Sequence, residues 1–462
     1  MSKSYSKAGI VKWIVSFALP IIIALTPVSE TFTSPIKWFS VITIFFICLI
    51  ATDVLPMFVV SVAIPVTYIV FLHVDPKIAF GPWAIEVPWL ILGGFIMTMA
   101  LEKTGLLKRM AYRIILLCGG RFNGILFGFM ILGSLTSLII TDNSAKAIMF
   151  GALAVGIGRA FDLEFGGRTA SALGMVAIAS AIGPSYLWYT GSQGNLVPFG
   201  IIGAAGYHVP SWTEYVVHMF VPQLIYVFFS IFIIAIFFKP DIELKTKSFF
   251  QSELKAFGPM STEEKKVLVL SLLLIAGIVT STWHQISLGW LFVYAAIILM
   301  LPGMNIVGPK DIKEVNFTFI LFVVACLSIG MVAANLGVGK FISDSLYPII
   351  SGSMTRFMAG SWALGFLANF AMTPLAAYST FALPVAEMAA TLGVNTTPIM
   401  YTFIHSLEQV IFPYEYAPVL IVFGMGLASA KRYMKYNAMR SLLSIICIFL
   451  IFTPWWKLIG LL

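Results

Sequence analysis

An all-α polytopic membrane protein, with about 11 transmembrane helices of roughly 20 residues each and two re-entrant helical hairpins in inverted repeats, is the fold class this sequence predicts. Three observations predict it. Of the 462 residues, 60% are hydrophobic and 10% charged, and the mean hydropathy is +0.97, far from the roughly 45–50% apolar and 25% charged of soluble domains. Apolar runs follow one another with few polar gaps. Among them, the sextet Thr141-Asp142-Asn143-Ser144-Ala145-Lys146 is set between apolar flanks at 124–140 and 147–161. Neither flank is long enough to leave a bilayer comfortably, so the sextet reads as the tip of a hairpin that dips partway in. There it would be a binding site.

Taken in order, Lys3, Lys7 and Lys12 precede an apolar run at 13–24 that resembles a secretory signal, but Leu25-Thr26-Pro27 is no cleavage site, so the run is the first helix. Spans follow at 38–52, 54–72 and 84–101. Residues 104–121 set Lys108, Arg109 and Arg113 among leucines and isoleucines, the character of an interfacial amphipathic helix. The first hairpin occupies about 122–160. A span from Thr169 is then interrupted at Gly183-Pro184 and Gly191-Ser192-Gln193-Gly194-Asn195, and an unbroken run at 213–238 ends the first half. Residues 239–266, with six lysines and five acidic residues, read as a solvated connector.

The second half repeats that order. Spans at 267–283, 287–301 and 315–335 lead to a short amphipathic piece at 339–350 and a hairpin at 357–392, broken at Met372-Thr373-Pro374. A further span from Pro398 is interrupted at 412–418, and a last run covers 441–460. Residues 99–106 resemble 331–338 at an offset of 232, and the same offset carries Asp142 onto Pro374. Paired broken segments in the two halves of a duplicated chain point to a transporter's central site. The blocks are therefore 1–121, 122–238, the connector 239–266, 267–355 and 356–462.

Charge placement orients the repeats. With a cytoplasmic N-terminus, 22 of the 28 Lys and Arg fall in cytoplasmic segments, including four at 431–440. That bias is what the positive-inside rule expects. The first hairpin then opens to the cytoplasm and the second to the outside, in a multi-pass protein of the cell membrane whose C-terminus is external. The net charge of +8 is explained by these loops, with membrane lipid and not nucleic acid as the macroscopic partner. Cys48, Cys118, Cys326 and Cys447 are scattered without metal-type spacing and read as packing residues. No metal centre and no cofactor are expected.

Each hairpin tip also starts a helix. Asn143 or Ser144 can cap 145–160, and Thr373 is an N-cap with Pro374 at the first helical position. Helix N-termini carry partial positive charge and free N–H donors, so the two tips suit a substrate with two anionic ends. Lys146 is the lone Lys or Arg that this topology sets at membrane depth, where a charge is costly and functional by default. It reads either as an i,i+4 salt bridge to Asp142 or as a built-in cation near the anion site. His405 and Glu408, at i,i+3, can satisfy one another or take part in charge balance. Glu415 lies inside the second break, and Glu387 is on the second hairpin arm. Tyr186, Trp188 and Tyr189 are candidates to wall the site.

The order of hairpin, interrupted span, hairpin, interrupted span resembles the divalent anion/sodium symporter family of di- and tricarboxylate carriers over nearly the whole chain. The tips in that family carry Ser-Asn-Thr and the interrupted helices Thr-Pro-Pro-Asn. Here Asp142-Asn143-Ser144 keeps Asn143 and a hydroxyl at Ser144, and the first break keeps a glycine, Ser192 and Asn195. The second tip has become Met372-Thr373-Pro374 and the second break Tyr416-Ala417-Pro418-Val419. The resemblance implies a homodimer with a scaffold (1–121 and 267–355) and an elevator-type transport domain (122–238 and 356–462). It implies substrate contacts at Asn143, Ser144, Thr373, Pro374, Ser192 and Asn195, with Ser192 and Asn195 also residual sodium ligands.

The departures replace several sodium ligands and add charge-compensating candidates at Lys146, Asp142, His405, Glu408 and Glu415. That points to the family's sodium-independent exchanger branch, of the citrate/succinate antiporter and plastid dicarboxylate translocator type. Succinate, malate, fumarate, 2-oxoglutarate and citrate all fit two separated positive ends. The alternatives are a sodium-coupled dicarboxylate symporter and, remotely, an intramembrane enzyme pairing Ser192 with His405, which lacks a nucleophile elbow.

Overall fold

The computed structural model describes residues 7–52, 54–242, 244, 246–338, 341 and 354–462. Among them every regular element is a helix. The first spans are Lys7–Leu25, Ser34–Thr52, Met57–Leu72 and Glu86–Lys103. The interfacial segment is Leu106–Leu117, bent by 70° from the helix before it, with Leu106, Leu107, Ala111 and Ile115 buried and Lys108 and Arg113 exposed. The amphipathic piece expected at 339–350 lies outside the described residues, Phe341 excepted. Four helices, Arg168–Leu187, Trp212–Phe237, Phe317–Leu336 and Ala430–Leu458, are each long and apolar enough to cross a membrane.

Packing divides the chain into two compact units. The first takes residues 1–88, 196–209 and 316–407. In it helix Phe317–Leu336 packs against Met57–Leu72, and Tyr68 Oη lies 2.6 Å from Thr43 Oγ1, so the phenol buried in this apolar core keeps a hydrogen-bond partner. The second hairpin belongs to this unit. Its arms are Met354–Ala371 and Pro374–Thr391, with Pro374 at the first helical position and the Thr373 hydroxyl accepting the Ala376 amide at 3.4 Å. Helix Thr396–Leu407 packs on both arms.

The second unit takes residues 89–195, 210–315 and 408–462. Its centre is helix Arg168–Ile182, whose Ala, Gly and Ser content lets neighbours approach closely and whose residues are all buried from Thr169 on. The first hairpin, Phe122–Thr136 and Asn143–Ala160, packs on it. Helix Trp212–Phe237 contains Pro222, which has no N–H for the carbonyl one turn back. That carbonyl, of His218, accepts from Trp456 Nε1 at 3.0 Å, so the C-terminal tryptophan closes a gap that the proline opened.

Two sequence expectations need correction here. The connector is more than a solvated link: it holds helix Lys247–Ala256, with Phe250 buried and its ring 5.5 Å from that of Tyr112. Just beyond it, Arg109 Nε donates to Glu264 at 2.6 Å, and the same guanidinium reaches the carbonyls of Phe257, Gly258 and Pro259. The aromatics Phe249, Phe250 and Phe257, diluted among lysines, anchor a segment whose average polarity is high. The last helix begins at Ala430 and not at 441. Tyr433, Tyr436, Asn437 and Arg440, at i, i+3, i+4 and i+7, form its buried face, a stripe that a hydropathy scan misses because its members are polar or aromatic. Lys146 is accordingly not alone in the interior: Arg109 and Arg440 are buried as well.

Candidate functional site

The polar centre of the second unit forms where the first hairpin turn meets the two backbone breaks. The turn runs over 137–142, between the end of one arm at Thr136 and the start of the other at Asn143. The Asp142 carboxylate, not Asn143 or Ser144, is the N-cap: it accepts the Ser144 amide at 2.8 Å. This places Asn143 and Ser144 in the first helical turn.

The first break is zipped onto that turn. Helix Arg168–Ile182 gives way at Gly183-Pro184 to two short 3₁₀ turns, Gly183–Leu187 and Tyr189–Gly191, before helix Gln193–Ala204. Trp188 Nε1 donates to the Ser134 carbonyl at 2.8 Å, the Thr190 hydroxyl to that of Leu138 at 3.2 Å, and the Gln193 amide to that of Thr141 at 3.2 Å. Each bond satisfies a carbonyl that the turn leaves without a helical partner. Gly191 is required by close approach: a Cβ there would stand 2.2 Å from the Ser185 carbonyl oxygen. Trp188 also stacks on Trp212 at 5.8 Å, Tyr189 lies against Tyr215 at 5.5 Å, and the Tyr215 hydroxyl donates to the Tyr186 carbonyl at 3.1 Å. These contacts make the three aromatics supports of the break.

At the junction lies Lys146, fully buried. Its Nζ donates to Ser185 Oγ at 2.5 Å, the Gly191 carbonyl at 2.7 Å and Ser137 Oγ at 3.1 Å. Three bonds use all the protons of an ammonium. Of the two readings of Lys146, the ion pair with Asp142 is not what supplies its Nζ hydrogen bonds, since those partners are neutral oxygens of the turn and the break. A cation in the first helical turn also opposes the helix dipole, and the oxygen cage offsets that cost. Ser185 and Ser137 were not singled out by sequence; the usable signal for Ser185 is its position directly after Gly183-Pro184.

Around this cage the other expected residues gather. Asn143 Nδ2 donates to Ser192 Oγ at 3.1 Å and to the Tyr416 hydroxyl at 2.9 Å, and Asn143 Oδ1 lies 3.0 Å from Ser185 Oγ. Ser192 Oγ also accepts the Gly194 amide at 2.9 Å. Asn195 Nδ2 reaches the carbonyls of Trp188 at 3.0 Å and Ser185 at 3.3 Å. Thr141 Oγ1 and Asn195 Oδ1 are buried with no hydrogen-bond partner among the described residues. Through Tyr416 the second break joins the same cluster. Its Glu415 carboxylate accepts the backbone amides of Ile411 at 2.9 Å and Phe412 at 3.1 Å, which makes Glu415 the clamp of that loop.

Glu408 has partners in its own unit. Its carboxylate lies 3.3 Å from Arg440 Nη2 and 3.5 Å from Gln223 Nε2. His405, Thr373, Pro374 and Glu387 belong to the first unit, where all but Thr373 are buried. That unit also has a cavity of about 540 Å³, bordered by Phe39, Ile201, Ile329 and Leu383, with no charged residue among the described residues of its wall.

Compared with known proteins, residues 7–462 match the family described as the sodium:sulfate symporter transmembrane region. The chain belongs to this family of divalent anion/sodium symporters. It is similar to the sodium-dependent dicarboxylate transporter SdcS of Staphylococcus saprophyticus, 23% identical over 431 residues that cover 87% of this chain and 81% of the relative. It is similar also to SdcS of Staphylococcus aureus strain NCTC 8325, 23% identical over 429 residues, with 87% and 82% covered. Among solved structures it is similar in fold to the Alcanivorax borkumensis YdaH transporter, at a TM-score of 0.54 and 10% identity, over 91% of this chain and 98% of that one. Family membership makes the protein a multi-pass membrane transporter and not an enzyme.

Proposed function

We propose that the protein exchanges di- and tricarboxylate anions across the cell membrane without sodium, with Lys146 as the fixed cation of the anion site. The observation that carries this reading is the oxygen cage. Two hydroxyls and a carbonyl from a hairpin turn and a helix break are the ligands a small hard cation would take, and here a tethered ammonium holds them. With its protons spent on protein oxygens, Lys146 acts on the anion through its charge and not through a direct hydrogen bond. Asn143, Ser144, Ser192 and Asn195 supply the polar contacts, and Thr373 and Pro374 open the second helix N-terminus. A tethered cation cannot leave with the substrate. The empty carrier would cross with an uncompensated charge at membrane depth, which costs from roughly 2.5 kcal/mol upward, and that cost enforces exchange. An elevator movement of a homodimer, with a cytoplasmic N-terminus, completes the proposal.

Sodium-coupled symport is the second reading. The names of the relatives favour it, as do the open acceptor oxygens of Thr141 and Asn195. Counterflow in liposomes decides between them. Vesicles loaded with unlabelled succinate, malate, 2-oxoglutarate or citrate should accumulate labelled dicarboxylate equally well with and without sodium. Accumulation driven by a sodium gradient into vesicles free of internal anion would reject exchange in favour of symport.

A further inference from the structure

The second unit contains a buried polar network on which neither proposed reading draws, and it touches both breaks. Arg440 Nη2 donates to the Glu408 carbonyl at 2.6 Å and lies 3.3 Å from its Oε1, and Arg440 Nε reaches the Tyr226 hydroxyl at 3.0 Å. The Tyr226 hydroxyl in turn lies 2.8 Å from Gln409 Oε1. Gln223 Nε2, one helical turn before Tyr226, donates to the Gly183 carbonyl at 3.0 Å, with Glu408 Oε2 at 3.5 Å. Gly183 opens the first break, and Glu408 and Gln409 immediately precede the second. A broken helix leaves carbonyls unpaired, and a planar guanidinium with five donors can serve a carbonyl and a carboxylate together where an ammonium cannot.

We infer that Arg440 is a positioning residue for transport: with Glu408 and Gln223 it braces the two backbone breaks against each other through contacts separate from the Lys146 cage. On the cage side the breaks meet through Asn143, which bonds both Ser192 and Tyr416. They meet a second time through Gly183, Gln223, Glu408 and Arg440. Two cross-links thus tie the breaks together, so loosening the second costs substrate affinity by making the anion order the breaks itself. The pair is buried on both sides, Arg440 and Glu408 alike, so removing one member takes a charge-assisted contact out of the interior.

The kinetic arm of the test rests on the exchange reading above; the other arm does not. Full-length protein carrying Arg440→Lys, Arg440→Gln or Glu408→Gln is compared with Lys435→Gln, an exposed position of the same helix. In succinate counterflow, the first three should raise KM about tenfold with the maximal rate per folded protein within about threefold of wild type. Hydrogen exchange of the amides at 183–191 and 411–416 should quicken about tenfold in both segments, with 122–136 unchanged. An unchanged KM with a lowered maximal rate, or faster exchange confined to 430–447, overturns the brace. Should wild-type protein carry no succinate, the exchange reading fails and hydrogen exchange still decides; should Arg440→Gln not fold, Arg440→Lys decides.

Discussion

At the first hairpin, helix Asn143–Ala160 starts from an Asp142 cap and then buries an ammonium among three oxygens within its first turn. At the second, Pro374–Thr391 starts from a Thr373 cap and a proline, and residues 374–381 carry no charge. Both tips offer a helix N-terminus, the chemistry common to anion sites. They differ in what has been added to it. Buried charged groups of the second half include Glu387, further along the same hairpin arm, Glu408 and Arg440, which pair, and Glu415, which accepts two backbone amides. Duplicated architecture thus tolerates unequal chemistry, because a hairpin needs only a cap and a turn, whereas a buried cation needs a cage built by neighbouring segments.

The largest effect that would break this comparison is at Lys146. Lys146→Met leaves the Ser137, Ser185 and Gly191 oxygens without their donor, and sodium-free exchange should fall roughly 100-fold, the equivalent of about 3 kcal/mol. Lys146→Ala leaves room for a small cation in the same cage, so added sodium should restore part of its activity. Unchanged exchange in both variants would make the lysine a strut and the two tips equivalent.

Glu415→Gln should come next. It replaces two charge-assisted acceptances by one neutral acceptor and a misplaced amide, at about 1.5–3 kcal/mol, and exchange should fall about tenfold with Lys146 intact. A loss as deep as that of Lys146→Met would show that the second half carries chemistry and not only shape.

The smallest effects separate the caps. Asp142→Ala should lower stability by about 1 kcal/mol and Thr373→Ala by nearer 0.5 kcal/mol, since the Thr373 bond is the longer at 3.4 Å against 2.8 Å. Thermal midpoints of the two variants in the same detergent check the order. A larger shift for Thr373→Ala would reverse the ranking of the tips.

The sequence by itself determined that the chain is helical and membrane-embedded, where its hairpins and breaks fall, and that Thr373 and Pro374 open a helix. These follow from local rules: apolar run length, the hydrogen bonds a backbone must make in lipid, and the fit of Thr and Pro to a helix start. The resemblance to the family, and not a local rule, is what named Asn143, Ser192 and Asn195 together. Only the tertiary structure decided the partners. Lys146 bonds Ser137, Ser185 and Gly191, and Glu408 lies against Arg440 and Gln223, none of them named as a partner by helical spacing. A buried polar group bonds whatever the packing brings within about 3–3.5 Å, and those neighbours come from residues up to 185 positions away in the case of Glu408 and 45 in that of Lys146, a separation over which periodicity and spacing carry no information.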